Sequence, residues 1–279
     1  MSSPASAPRR REFVAAIARH WPEYVMEAVG LGCFMLSACV FAIVLMHPAS
    51  LVVQWLPDAN VRRVLMGLAM GMTAIALIYS PWGRRSGAHL NPAVTLTFNS
   101  LGRVSSLDAA FYAFAQLAGG VLAVGLMSFI APGALRDAAI NFVVTVPGPA
   151  GPLAAVVTEF GMSFALMTIV LWVSNSKWTR WTGMCAGATV ALFISTLAPF
   201  SGMSMNPART LASAIPARIW TGIWIYLSAP PLGMLAAAAI YRQLRGLDGV
   251  GCPKLDRLNH HRCIFCGAPH GHAAPLRSR

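Results

Sequence analysis

The sequence predicts an all-α membrane protein, with six transmembrane helices plus two re-entrant half-helices in an inverted 3+3 repeat. Three observations predict it. The chain has 279 residues, 56% hydrophobic and only 11% charged, with mean hydropathy +0.60. Soluble domains carry about twice that charge, so most of this surface must face lipid. Six apolar runs are long enough to cross a bilayer, which takes about 20 residues. Finally, the triplet Asn-Pro-Ala occurs twice, and each copy opens an apolar segment too short to span.

The six runs fall at roughly 24–46, 62–81, 106–130, 152–174, 181–199 and 219–241. They define a membrane domain at 22–243, with repeat one at about 22–130 and repeat two at about 152–243. A basic tail, 1–21, precedes it, and a basic tail containing Cys and His, 244–279, follows. The chain holds 21 Lys and Arg against nine acids, a net charge of +12. Such an excess can mean nucleic acid, but here it concentrates in the tails and the short connections, and no nucleic-acid partner is expected. Arg9–Arg11, then Arg84, Arg85 and Arg103, then Lys177 and Arg180, then Arg242, Arg245 and Lys254 all fall on one side of six spans. The positive-inside bias makes that side cytoplasmic, with both termini inside and the chain integral to a plasma or inner membrane. On the other side, Arg62 and Arg63 stand near Asp58, and Arg136 stands beside Asp137.

Four landmarks recur in the same order. "AQLAGGVLA" at 115–123 matches "APPLGMLAA" at 229–237, an offset of 114, and the Asn-Pro-Ala triplets are 115 apart. Gly67-x-x-x-Gly71 answers Gly183-x-x-x-Gly187, and Glu27 in "MEAVGLGCF" answers Glu159 in "TEFGMSF". Small-xxx-small patterns alone mark close helix packing. Together the landmarks indicate a repeat, and three spans per half make it inverted. Inverted repeats with broken elements at matching places point to a pathway at the bilayer midplane.

Non-helical backbone at membrane depth survives only where protein or a water-filled cavity satisfies it. If residues 86–90 dip into the bilayer, a half-helix can start at Pro92 with Asn91 as N-cap, since proline suits the first helical position. The inverted copy enters from the far side with Asn206, Pro207 and Ala208. Two positive helix ends then face one another. A cation meets that potential and its own dehydration, whereas a neutral solute with lone pairs meets the Asn91 and Asn206 amides.

These residues resemble the aquaporin and glycerol-facilitator family, also called major intrinsic proteins. "SGAHLNPAVT" reproduces that family's first loop motif, and "MNPARTLASA" is similar to its second. "AQLAGG", "WIYLSAPPLG" and the glutamates of spans one and four also match, so the resemblance covers about residues 22–243. It implies an aquaporin-like channel, one pore per chain, and a homotetramer. On the same resemblance Asn91, Pro92, Ala93, Asn206, Pro207 and Ala208 line the central constriction, and Arg209 is the filter arginine. Glu27 and Glu159 would hold the re-entrant backbones, the alternative being ordinary solvation at the interface. His89 would line the pore or serve only structure.

The filter opposite Arg209 departs from the family. Water-selective members commonly place a histidine where this chain has Ile194 and a small residue where it has Met203. The aromatic position of span two falls on Met70 or Gly71, because "SPWGRR" holds one residue more than the usual loop. Glycerol facilitators use an aromatic wall and an aspartate after the arginine; here Thr210 follows.

The expected function is therefore passive passage of water or small uncharged solutes. Alternatives are a glycerol-like, ammonia or peroxide facilitator, or a structural membrane protein with a poorly conducting pore. No nucleophile–base constellation or phosphate loop suggests an enzyme. The C-terminal tail adds Cys252, His260, His261, Cys263, Cys266, His270 and His272. Cys263-x-x-Cys266 has zinc-pair spacing, with Cys252 and His261 as further ligands; the other reading is a disordered basic tail with reactive thiols. No other cofactor is expected.

Overall fold

The computed structural model describes residues 6–267. Among the described residues six helices are long and apolar enough to cross a membrane: Ala16–Met46, Ala59–Tyr79, Ser106–Ile130, Gly151–Ser174, Thr179–Ser201 and Ile223–Arg245. Two short helices, Pro92–Ser100 and Pro207–Ala217, lie between spans two and three and between spans five and six. The spans match the apolar runs to within a few residues, except at the start. The first helix begins at Ser6 and continues into the span, so residues 6–21, expected as a tail, are helical. His20 Nδ1 meets the Asp108 carboxylate at 2.7 Å, which ties the end of this extension to span three. Just beyond it Tyr24 Oη donates to the same carboxylate at 2.7 Å, while Glu23 ion-pairs with Arg85 at 2.8 Å.

Many large apolar side chains face outward, among them Phe114, Leu122, Phe129 and Leu153, as a lipid-facing surface requires. Exposed tryptophans mark its two rims. Trp55, Trp220 and Trp224 lie on one side, and Trp21, Trp82, Trp178 and Trp181 on the other. Such aromatic rings favour the headgroup level, apolar below and wet above.

The two repeats pack by the same contacts. In the first, a Cβ at Gly119 of span three would collide with the Ala28 carbonyl of span one. In the second, a Cβ at Gly233 of span six would collide with the Phe160 carbonyl of span four. Ala28 and Phe160 each follow a repeat glutamate in sequence. Spans two and five join the halves, with Gly71 against the Gly187 carbonyl and Gly187 against the Gly71 carbonyl. Without a hydrophobic force between helices in lipid, such close backbone approach supplies much of the packing.

Gly119→Val and Gly233→Val should each cost about 1–3 kcal/mol through overpacking. Gly125→Ala, where the space is open, should be neutral or slightly stabilising. Thermal unfolding in detergent checks both; equal behaviour of Gly119→Val and Gly125→Ala would contradict the packing assignment.

Candidate pore constriction

Each half-helix is reached through a short loop with three residues in the left-handed conformation. In the first loop Gly87, Ala88 and Leu90 have φ of 103°, 53° and 48°; in the second Gly202, Met203 and Met205 have 72°, 54° and 52°. Left-handed backbone costs about 1 kcal/mol or more at a non-glycine residue, so the surroundings must enforce it.

Two carboxylates do so. Glu27 Oε1 accepts from Ser86 Oγ (2.8 Å) and His89 N (3.0 Å). Its Oε2 accepts from Leu90 N (2.6 Å) and Gln116 Nε2 (2.7 Å). Glu159 Oε1 accepts from Ser201 Oγ (2.7 Å) and Ser204 N (2.8 Å), and Oε2 from Met205 N (2.7 Å). Both glutamates are 0% exposed, which removes interfacial solvation as their explanation. Tyr112 Oη donates to the Ser86 carbonyl and Tyr226 Oη to the Ser201 carbonyl, each at 2.8 Å. The loops' N–H groups thus turn away from the axis, toward acids rooted in spans one and four.

The half-helices start where the sequence places them, with Asn91 and Asn206 as N-caps and Pro92 and Pro207 in the first turn. Asn91 Oδ1 accepts from Ala93 N at 2.8 Å, and Asn206 Oδ1 accepts from Ala208 N (3.0 Å) and Arg209 N (3.1 Å). Each amide nitrogen reaches across the molecular centre. Asn91 Nδ2 donates to the Met205 carbonyl and Asn206 Nδ2 to the Leu90 carbonyl, both at 2.7 Å. A side-chain amide carries two N–H donors, so this clasp uses one on each asparagine.

Arg209 leaves the second half-helix one turn on, and its Nη1 donates to the Val143 carbonyl at 2.7 Å. Asn141, Phe142 and Val143 all have left-handed φ, 44°, 53° and 51°, which is how the span 3–4 connection presents that carbonyl. Thr145 Oγ1 meets Thr210 Oγ1 at 2.8 Å beneath it. Met203 and Met70 are buried and Ile194 is partly buried against the core around Met203. Gly71, the other candidate for the span-two filter position, faces the span-five backbone instead. Ser37 Oγ lies 3.9 Å from Met70 Sδ, on a different face of the helix.

His89 is buried and bonded at both ring nitrogens. Nε2 donates to the Pro253 carbonyl at 3.0 Å, since a carbonyl can only accept. Nδ1 meets Thr95 Oγ1 at 3.0 Å. The ring stacks on Phe98 and Phe265, with centroids 5.3 and 5.7 Å away. Pro253 and Phe265 belong to the C-terminal segment, which therefore packs directly on His89.

Several partners were not singled out in the sequence. Ser86 and Ser201, and Thr95 and Thr210, stand 115 residues apart, and Tyr112 and Tyr226 stand 114 apart. Extending the repeat offset to every polar residue finds them. Nothing in the sequence points to Val143 or Pro253, whose backbone carbonyls carry no side-chain signal.

Comparison with known proteins agrees with this geometry. A family model described as Major intrinsic protein matches residues 15–241. A probable aquaporin NIP-type from Nicotiana alata is 35% identical over 184 residues, 64% of this chain and 64% of that one. The chain thus spans just under two thirds of that relative's length. Nodulin-26 from Glycine max is 35% identical over 230 residues, 80% of this chain and 78% of its own. The aquaglyceroporin structure from Plasmodium falciparum superposes with a TM-score of 0.65 at 22% identity, covering 81% of this chain and 96% of that one; it shares the fold.

Glu159→Gln keeps one acceptor oxygen but turns an amide toward the Ser201 and Ser204 donors. Losing a charged acceptor should cost about 1–3 kcal/mol, seen as a lower melting temperature in detergent, with Glu27→Gln behaving alike. An unchanged melting temperature in both would contradict the scaffold reading.

Proposed function

The chain belongs to the major intrinsic protein family of passive membrane channels, and we propose that its pore carries water and other small uncharged solutes down their gradients while opposing protons and cations. The observation that carries this reading is the reciprocal clasp of Asn91 and Asn206 at the facing ends of two half-helices. Each end bears roughly half a positive charge, and each asparagine keeps an amide hydrogen for a passing oxygen or nitrogen lone pair. A hydrated cation loses its shell there against a positive potential; a neutral solute exchanges one hydrogen bond for another.

Arg209 sets the filter. Tied to the Val143 carbonyl, its guanidinium holds one orientation and presents its other N–H groups to solute. The opposing wall of Met70, Met203 and Ile194 is apolar. One donor wall against one apolar wall suits amphipathic solutes as well as water, so selectivity among small neutral molecules should be broad. With the N–H groups held by the glutamates, the carbonyls of Ala88 and His89 in one loop and of Met203 in the other remain to line the approach. The N- and C-termini are cytoplasmic on the Lys and Arg distribution, which places His89 at the cytoplasmic mouth. The chain assembles as a homotetramer, as the family resemblance implies, with a complete pore in each subunit. No chemical step is involved.

A second reading, a membrane protein with a poorly conducting pore, is favoured by one observation: Pro253 and Phe265 lie over His89. Stopped-flow swelling of proteoliposomes separates the two. At least one of the gradients of water, glycerol, ammonia and hydrogen peroxide should be dissipated faster than in protein-free vesicles; no acceleration for any would leave the second reading. Arg209→Ala should admit larger solutes and weaken cation exclusion; unchanged selectivity would remove Arg209 from the filter.

A further inference from the structure

The C-terminal segment is not a loose tail. From Val250 to Gly267, after the short helical turn Leu247–Gly249, it has no helix or strand. Yet Leu255, Asp256 and Cys263 are buried. It is tied to the spanning domain at several points. Arg84 Nε ion-pairs with Asp256 at 2.8 Å, Leu255 N donates to the Gly87 carbonyl at 3.1 Å, and Arg257 Nη1 donates to Asn175 Oδ1 at 2.8 Å. Phe265 stacks over His89 and meets Tyr112, 5.4 Å between centroids. So short an irregular segment has little core of its own, and small units of this kind usually need a metal or a cross-link.

Cys252, Cys263 and Cys266 supply the means. Their sulfurs, brought together from both ends of the segment, all lie within 4.8 Å of one another. Three thiolates at the usual Zn–S distance of about 2.3 Å stand about 3.8 Å apart, so a small contraction closes the site. Lys254, two residues after Cys252, and Arg257, three further on, carry positive charge into the same short segment and would offset the excess negative charge of three thiolates around a divalent ion. Lys254 Nζ also donates to the carbonyls of His261 (2.9 Å) and Arg262 (3.3 Å), closing the loop that carries Cys263. His261, expected as a ligand, meets Lys254 through its carbonyl, and among the described residues its ring is not in the sulfur cluster. His270 and His272 lie outside the described residues.

We infer that Cys252, Cys263 and Cys266 form a three-thiolate site for a thiophilic divalent cation such as zinc, and that filling it clamps the C-terminal segment over the mouth at His89. A water or one further ligand completes four-coordination. Ion binding and folding of the segment are then one equilibrium, and the clamp turns the second reading above into a regulated state of the channel. Its effect on flux rests on the channel reading; ion binding and protection of the segment do not.

The test uses the full-length chain, reduced, stripped with a chelator, supplied with zinc chloride and desalted. Elemental analysis should find one zinc per chain, lost in Cys252→Ser and in the double variant Cys263→Ser, Cys266→Ser. If the serine variants fail to fold, cadmium on the native chain reads the same site through thiolate-to-metal ultraviolet absorption. Zinc should slow tryptic cleavage after Lys254 and Arg262 and, in proteoliposomes, slow solute flux, with both effects reversed by chelator. Phe265→Ala should keep the zinc and lose the flux effect. No retained zinc, equal zinc in the serine variants without a cadmium–thiolate band, or cleavage indifferent to zinc would overturn the proposal. A chain that binds and is protected but passes no solute in either state would keep the site and sink the channel reading.

Discussion

Each re-entrant loop hangs its backbone N–H groups on one buried carboxylate, and the rest of the architecture follows from that. A chain that turns at membrane depth has no water to satisfy it, and an unpaired N–H there costs several kcal/mol. Glu27 and Glu159 answer this with donors ranked on both oxygens. Because the acids are rooted in spans one and four, those spans must pass beside the loops. The helices that bring Tyr112, Gln116 and Tyr226 to the same network must pass equally close. The glycine contacts at Gly119 and Gly233 lie one residue beyond the acids on the facing helices' path, at the Ala28 and Phe160 carbonyls. Packing and polar satisfaction are therefore parts of one arrangement.

The backbone is close to symmetric and the side chains are not. Ala88 and Met203 share a left-handed conformation at matching positions, but one is small and the other fills space. His89 corresponds to Ser204, and Val94 corresponds to Arg209, by the same offset of 115. The repeat brings two like helix ends face to face at the molecular centre. The differences put a cation, Arg209, tied to the Val143 carbonyl, in the second half, and in the first a histidine, His89, packed beneath the C-terminal segment.

Much of this was legible in the sequence because it is written in periodic or punctuating residues. Apolar run length gives the spans, and Pro after Asn gives the half-helix starts. A glutamate inside an apolar run announces a buried acceptor. What escaped the sequence depends on backbone atoms and on facing. Gly71 and Met70 are neighbours in sequence, and only helix rotation shows that Gly71 meets span five. The Val143 and Pro253 carbonyls have no side-chain signature. The C-terminal segment is polar and irregular, so composition alone also allows a disordered tail; its burial comes from pairings with Arg84, Asn175 and His89 that lie 75 or more residues away along the chain. The helical continuation back to Ser6 carries basic residues in place of an apolar run, so run length does not report it, and Pro22, a residue that suits a helix start, sits inside the helix.

The central claim is that the paired half-helix ends separate neutral from charged permeants, and proton leak measured alongside water flux tests it most directly. In vesicles holding a pH-sensitive dye and a potassium diffusion potential, the account predicts water flux well above protein-free vesicles with proton entry at the protein-free rate. Proton entry that rises in step with water flux as protein is added would contradict it.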